Sequence, residues 1–115
     1  MRRGEIHFAD LDPVRGSEAI RRRPVVIVSN DGANARAAAL GHGVVTVVPV
    51  TSNMARVLPF QTLLEASATG LPRSSKAQAE QVRSIDAHRL GTRVGQLPPA
   101  VIAELDAALR LHLGL

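Results

Sequence analysis

Residues 24–29 read PVVIVS and residues 43–51 read GVVTVVPVT. Both are continuous runs of β-branched side chains without polar alternation. Such runs read as strands buried on both faces. Pro24 suits the first position of its strand, where a missing N–H is tolerated. Pro49 lies inside the second run and points to a bulge or an edge position.

Working outward, Gly4–Leu11 alternates imperfectly, with Ile6 and Phe8 on one face and Glu5 and His7 on the other, as in a half-buried strand. Asp12–Arg22 carries Pro13, Gly16, Ser17 and closely spaced arginines without periodicity, so it reads as a functional loop. Asn30–Leu40 is Ala-rich and helix-friendly, starting near Asn30 or Asp31 and ended by Gly41. Phe60–Glu65 is a short strand and Thr69–Ser74 a turn around Gly70 and Pro72. Ser75–Ile85 reads as one long strand whose phase breaks at Glu80–Gln81, through a bulge or burial on both faces. Asp86–Leu90 fits one helical turn and Thr92–Leu97 a last strand. Ala100–Leu113 is the clearest helix, with Pro98 and Pro99 at its start and Gly114 at its end. Val101, Ile102, Leu105, Leu109 and Leu113 give it one apolar face, and His112 sits in its last turn. Five or six short strands, a terminal helix and no βαβ rhythm predict a small, mainly β barrel of α+β composition in a single domain, residues 1–115.

Composition excludes several classes. The 115 residues contain no cysteine, so disulfides and thiolate metal sites are ruled out. The longest apolar run, Val44–Val50 with Thr46 tolerated, is far short of a membrane span. No apolar signal segment follows Arg2 and Arg3, so a cytoplasmic protein is expected. Lys and Arg total 14 against 10 Asp and Glu, and every cation except Lys76 is Arg. Arginine excess fits a GC-rich coding sequence; it fits phosphate recognition equally, because guanidinium forks match phosphate oxygens. Position favours the second reading: Arg2, Arg3, Arg15, Arg21, Arg22 and Arg23 fall in the first 23 residues. With no Trp or Tyr and only Phe8 and Phe60, a broad base-stacking platform is not expected.

The four histidines, at 7, 42, 88 and 112, offer only the near pairs Glu5–His7 and Asp86–His88, too few ligands for a metal site. No Gly-x-Ser-x-Gly turn, phosphate-binding loop or dinucleotide fingerprint occurs. Spacing leaves open a histidine pair acting as acid and base on a phosphodiester. Three polar clusters remain, the first of them in two parts. Arg21-Arg22-Arg23-Pro24 sets guanidiniums at the mouth of a buried strand, and Pro24 restricts Arg23 to extended backbone. Gly16-Ser17-Glu18 supplies a flexible turn, a hydroxyl and an acceptor. Thr51-Ser52-Asn53 ends the second buried strand, and Glu80-Gln81-Val82-Arg83 interrupts an apolar element. Each has a plain alternative: a solvated basic turn, strand-end turn chemistry, or a solvent face with ion pairing.

The chain resembles the MazF/PemK family of toxin endoribonucleases from type II toxin–antitoxin pairs. The matching blocks are Arg3-Gly4-Glu5-Ile6, Ala9-Asp10-Leu11 with Pro13, Gly16-Ser17-Glu18, and Arg23 through Asp31. Val48-Pro49-Val50-Thr51-Ser52, Ala79 through Ile85, Arg89-Leu90 and Leu105 through Leu109 follow in order. Where family members commonly carry Tyr or Trp, His7 and Phe8 stand here.

The resemblance implies an SH3-like, PemK-like barrel of five to seven strands with a C-terminal α-helix, acting as a homodimer. It implies metal-independent, cofactor-free cleavage of single-stranded RNA at a short recognition sequence, as an mRNA interferase causing growth arrest. The catalytic pair would fall on Arg23 and Thr51. Ser17 and Glu18 would belong to a loop over the substrate, with Arg15, Ser52, Asn53, Gln81 and Arg83 contacting RNA. The partner would be an antitoxin whose acidic segment occupies the groove. Chemically, a 2′-hydroxyl would attack its own phosphate, leaving a cyclic phosphate and a 5′-hydroxyl. Arg is a poor base near neutral pH, because its guanidinium stays protonated. Arg23 is therefore expected to act as an electrostatic clamp, with Glu18, a histidine or water moving the proton. Two other functions stay open on the same fold: a non-catalytic toxin that binds DNA gyrase, and a basic RNA-binding module without turnover.

Overall fold

Strand β3, Val44–Thr51, is the spine of the molecule. The computed structural model describes residues 1–11 and 22–115. The expected loop at 12–22 therefore lies outside the described residues apart from Arg22. The remaining strands are β1 (Glu5–Asp10), β2 (Arg22–Ile27), β4 (Gln61–Leu64), β5 (Ser75–Gln78), β6 (Arg83–Asp86) and β7 (Leu90–Gln96). All pair antiparallel, in the order β4-β5-β3-β2-β1-β7 with β6 also against β3. The seven strands among the described residues exceed the five or six counted from strand signals and stand at the top of the range the resemblance implies.

The two β-branched runs are covered on both faces, as expected. Val26, Val48 and Val50 face one core with Ile6, Leu64, Leu97 and Leu105. Val25, Ile27, Val45 and Val47 face a second with Ala9, Leu11, Ala37 and Ile85. Burying a Val or Ile side chain contributes about 1.5–3 kcal/mol, so these strands are held from both sides.

Pro49 sits in an unbroken register with β2, Val25 opposite Pro49 and Val26 opposite Val48, so there is no bulge. Val28 N–H donates to Thr46 O, which makes 28/46 and, by alternation, 26/48 the bonded pairs. The Pro49 nitrogen thus points away from β2. On that side β3 exchanges β6, paired at Val44–Val47, for β5, paired at Val50 and Thr51. The missing N–H falls in the gap, a local edge inside a central strand. The same exchange corrects the reading of Ser75–Ile85 as one strand. A 3₁₀ turn at Ala79–Gln81 separates β5 from β6, and this turn, not a bulge, causes the phase break.

Helix α1, Asp31–Leu40, has the expected ends: Asn30 accepts from Ala33 N–H at 2.8 Å, and Gly41 closes it at φ 72°. Buried Asn34 ties it to Ser29, whose Oγ in turn accepts from Thr46 N–H. A short helix α2, Ala66–Thr69, was not anticipated. Helix α3, Pro99–Leu113, buries Leu105 and Ala108, with Val101, Ile102 and Leu109 at the margin. Leu113 departs from expectation: it is 53% exposed, because the helix overruns the sheet. Asp86 caps the 3₁₀ turn Ala87–Arg89, confirming one helical turn there. On β1, Glu5 is buried, contrary to a solvent-facing position; His7 Nε2 lies 2.9 Å from its Oε1. Among the described residues no helix is long and apolar enough to cross a membrane.

Candidate active site

The site begins with strand register. The paired register of β2 with β3 ends at Val25 and Pro49, and Arg23 and Thr51 lie two residues beyond it, at the adjoining ends of the two strands. They line one cleft of about 360 Å³. Its floor is apolar, formed by Pro24, Val50, Leu71 and Pro72; its polar groups come from Arg23, Thr51, Ser52, Arg73 and Ser75.

A second cleft of about 320 Å³ adjoins the first, and Arg23 lines both. Its other walls are Leu11, Pro49, Gln78, Gln81 and Arg83. Arg83 starts β6 opposite Val47, on the face shared with Pro49. Its guanidinium donates to Leu11 O at 3.1 Å, which orients it across the cleft. Arg23 therefore stands at the junction, with hydroxyls on one side and amides on the other.

Of the three consecutive arginines, Arg22 is turned to the opposite face. Its guanidinium lies 5.7 Å from the centre of the Phe8 ring, against Gly91. Pro24 holds the Arg23 backbone extended, so alternate side chains of β2 diverge. Arg21 lies outside the described residues.

Thr51 Oγ1 accepts from Asn53 N–H at 3.2 Å. That contact occupies one lone pair and leaves the hydroxyl proton available to a ligand in the cleft. Asn53 Oδ1 accepts from Ala55 N–H at 3.2 Å. The turn chemistry read at Thr51-Ser52-Asn53 is therefore present, and it serves to aim the threonine. Asn53 itself lines neither cleft. Ser52, Gln81 and Arg83 are brought to the clefts; Arg15, Ser17 and Glu18 lie outside the described residues.

No histidine lines either cleft. His7 is held between Glu5 Oε1 and Gly91 O, at 2.9 and 3.0 Å. His88 pairs with Asp86 at 2.8 Å, and His42 and His112 are exposed elsewhere. The carboxyls with altered acidity are likewise remote. Burial opposes ionisation of Glu5, but the His7 hydrogen bond and the N-terminal ammonium outweigh it and lower its pKa. The Arg3 N–H lowers Asp31, and the His88 N–H lowers Asp86. No described carboxylate lines either cleft, and among the described residues no cluster suits a metal ion.

Sequence reasoning missed Arg73, Ser75 and Gln78. Gln78 and Ser75 fell inside an expected long strand, and Arg73 inside a turn. The one available signal was Pro72 before Arg73, a rigid turn bearing a cation, as Pro24 behind Arg23 marks the other.

The geometry defines a small antiparallel β protein with an arginine-rich groove suited to a phosphodiester. Residues 2–113 match the model of the PemK-like, MazF-like toxin of type II toxin–antitoxin systems, and the chain belongs to that family. Endoribonuclease MazF9 of Mycobacterium tuberculosis is 62% identical over 115 residues, spanning all of this chain and 98% of that protein. Endoribonuclease EndoA of Bacillus subtilis is 33% identical over 116 residues, spanning 100% of this chain and 96% of its own. A solved mycobacterial endoribonuclease in complex with its cognate antitoxin superposes at TM-score 0.77 and 26% identity, covering 100% of this chain and 96% of that one. MazF from Deinococcus radiodurans gives 0.75 at 27% identity, covering 100% and 97%.

Proposed function

We propose that this toxin is an endoribonuclease that cleaves single-stranded RNA by attack of a 2′-hydroxyl on the adjacent phosphate. The observation that carries the reading is that Arg23 and Thr51 line one cleft. As the 2′-oxygen bonds to phosphorus, the bond from phosphorus to the 5′-oxygen breaks. The products are a 2′,3′-cyclic phosphate and a 5′-hydroxyl. Charge accumulates on the non-bridging oxygens, where a forked guanidinium and a hydroxyl donor act best. A preorganised donor of this kind lowers the barrier by about 3–4 kcal/mol.

Arg23 is the clamp, and its charge is not spent on proton transfer, since a guanidinium stays protonated. Proton movement falls to Glu18 or water. Attack by the substrate's own 2′-hydroxyl needs no metal-bound water as nucleophile, so the reaction is proposed to run without a metal. Sequence selection resides in Gln81, Arg83, Ser17 and Ser52, which read bases by hydrogen bonding in the absence of a wide aromatic platform.

The partner antitoxin is expected to lay an acidic segment along the guanidiniums of Arg23 and Arg83, competing with RNA for the groove. The working unit is a homodimer, which lengthens that groove; sedimentation of the isolated chain tests this. Incubating the purified protein with end-labelled single-stranded RNA in EDTA tests the whole reading. Discrete fragments with cyclic phosphate ends are expected. Retardation without fragments would leave only a binding module, and activity against gyrase alone would leave the non-catalytic toxin.

A further inference from the structure

Helix α2 is joined to β5 by a turn fixed at several points. Gly70 adopts φ +87°, and a Cβ there would meet Val94 O at 3.2 Å and Gly95 Cα at 3.3 Å. Leu71 is buried. Pro72 fixes the next φ. Ser75 Oγ donates to Arg73 O at 3.0 Å, and Ser74 Oγ accepts from Ala66 N–H at 3.3 Å. The backbone of Arg73 is therefore held, while its side chain is exposed and makes no ion pair among the described residues.

The turn is delivered to a particular place. Lys76 on β5 pairs with Thr51, so the residues just before it pass over the end of β3. β5 flanks β3 on one side and β2 on the other. Arg73 and Arg23 thus reach the same cleft from opposite flanks, with Thr51 between them. No described carboxylate lines that cleft. Two guanidiniums facing one concavity repel each other until an anion enters, and a rigid backbone lowers the cost of ordering on binding.

We propose that Arg73 is an RNA-binding residue that holds the phosphate next to the scissile one, on the side of the apolar floor made by Pro24, Val50, Leu71 and Pro72. This rests on the nuclease reading above. Arg23 and Thr51 engage the phosphate that reacts. The nucleoside between the two phosphates packs on the apolar floor, in a cleft whose 360 Å³ lies within the range of small-ligand sites. Arg73 makes a ground-state contact kept through the reaction, so it governs binding and not the chemical step.

The test compares the wild-type chain with Arg73→Ala, Arg73→Gln and Arg73→Lys on a single-stranded RNA oligonucleotide. For Ala and Gln, KM is expected to rise about tenfold, the loss of one charge-assisted phosphate contact, with kcat within about twofold. Binding of the same oligonucleotide, made uncleavable by a 2′-deoxynucleotide at the mapped cut, is then followed against salt. The slope of log affinity against log salt should fall by about 0.7, one phosphate contact on a single strand, for Ala and Gln. Arg73→Lys should restore the slope. A turn that was merely structural would not move it. Unchanged KM and slope in both charge-free variants, with the wild type still cleaving, would overturn the role of Arg73 alone. Failure of the wild type to cleave would bring down the nuclease reading itself.

Discussion

Arg23 on β2 and Thr51 on β3 stand two residues beyond the last paired positions of these strands, Val25 and Pro49, and both line the cleft that Val50 and Leu71 also line. The relationship follows from strand pairing and needs no loop to create it. A one-residue slip of either strand would send one of the two side chains into the opposite core. Register is secured by buried valines on both faces, so the proposed catalytic pair inherits the precision of the core.

The hydroxyl of Thr51 can be removed with little change of shape. Thr51→Val should lower kcat by about 10²–10³, the usual loss for one transition-state donor, while KM stays within a few-fold. Single-turnover cleavage of a saturating oligonucleotide measures this. Asn53 N–H loses its acceptor, so a small fall in Tm accompanies the change.

Arg23→Lys preserves charge and discards the fork. RNA affinity should remain near wild type while kcat falls by at least tenfold. Near-normal turnover in that variant would show that a point charge suffices and would contradict the clamp.

Gln81, proposed to read a base, allows recognition to be tested apart from chemistry. It lines the second cleft, away from Thr51. Gln81→Ala should compress the ratio of kcat/KM between the preferred and substituted bases at the cut, because a lost hydrogen bond removes discrimination. Cleavage of four oligonucleotides differing at one position gives the ratio directly.

Glu5 gives the fold a dependence on acid. Burial disfavours its charge, but His7 and the N-terminal ammonium hold its carboxyl below the ordinary 4.5. A depressed folded pKa stabilises the native state above the unfolded value, and that stability is lost as pH falls through the folded value. Wild-type Tm should therefore drop from about pH 4.5 downward more steeply than that of Glu5→Gln. Asp31 and Asp86 are also lowered, so the difference between the two curves isolates Glu5.

Gly95 is a packing requirement. A Cβ there would lie 1.8 Å from Thr69 O, a backbone atom that cannot step aside. Gly95→Ala should cost about 1–3 kcal/mol or more, read as a lower midpoint in chemical denaturation. Because that contact supports the turn carrying Arg73, KM for RNA should rise in parallel.

What the sequence made legible follows physical period. The runs at 24–29 and 43–51 were readable because their β-branched side chains fill both faces, and α1 because Asn30 and Gly41 mark its ends. The Ala79–Gln81 turn was visible only as a broken phase, since three residues of 3₁₀ backbone carry no pattern of their own. Leu113 kept the helical spacing of a core residue although the sheet beneath it had ended; spacing reports a face, not its cover. Arg23 and Thr51 were legible as a pair through the family resemblance alone; the cleft they share became visible only in the fold. Arg73 was not, because its place depends on β5 pairing beside Thr51, a long-range contact that no local spacing encodes. The burial of Glu5 likewise depends on His7 turning towards it.

The most direct test replaces one atom of the substrate. In EDTA, an RNA oligonucleotide with a single 2′-deoxynucleotide on the 5′ side of the mapped cut is incubated beside its all-ribose twin. The mechanism built on Arg23 and Thr51 predicts that the all-ribose strand is cut to a cyclic phosphate and a 5′-hydroxyl, and that the deoxy strand binds equally well and stays whole. Cleavage of the deoxy strand at that position would show that the 2′-oxygen is not the nucleophile and would contradict the mechanism.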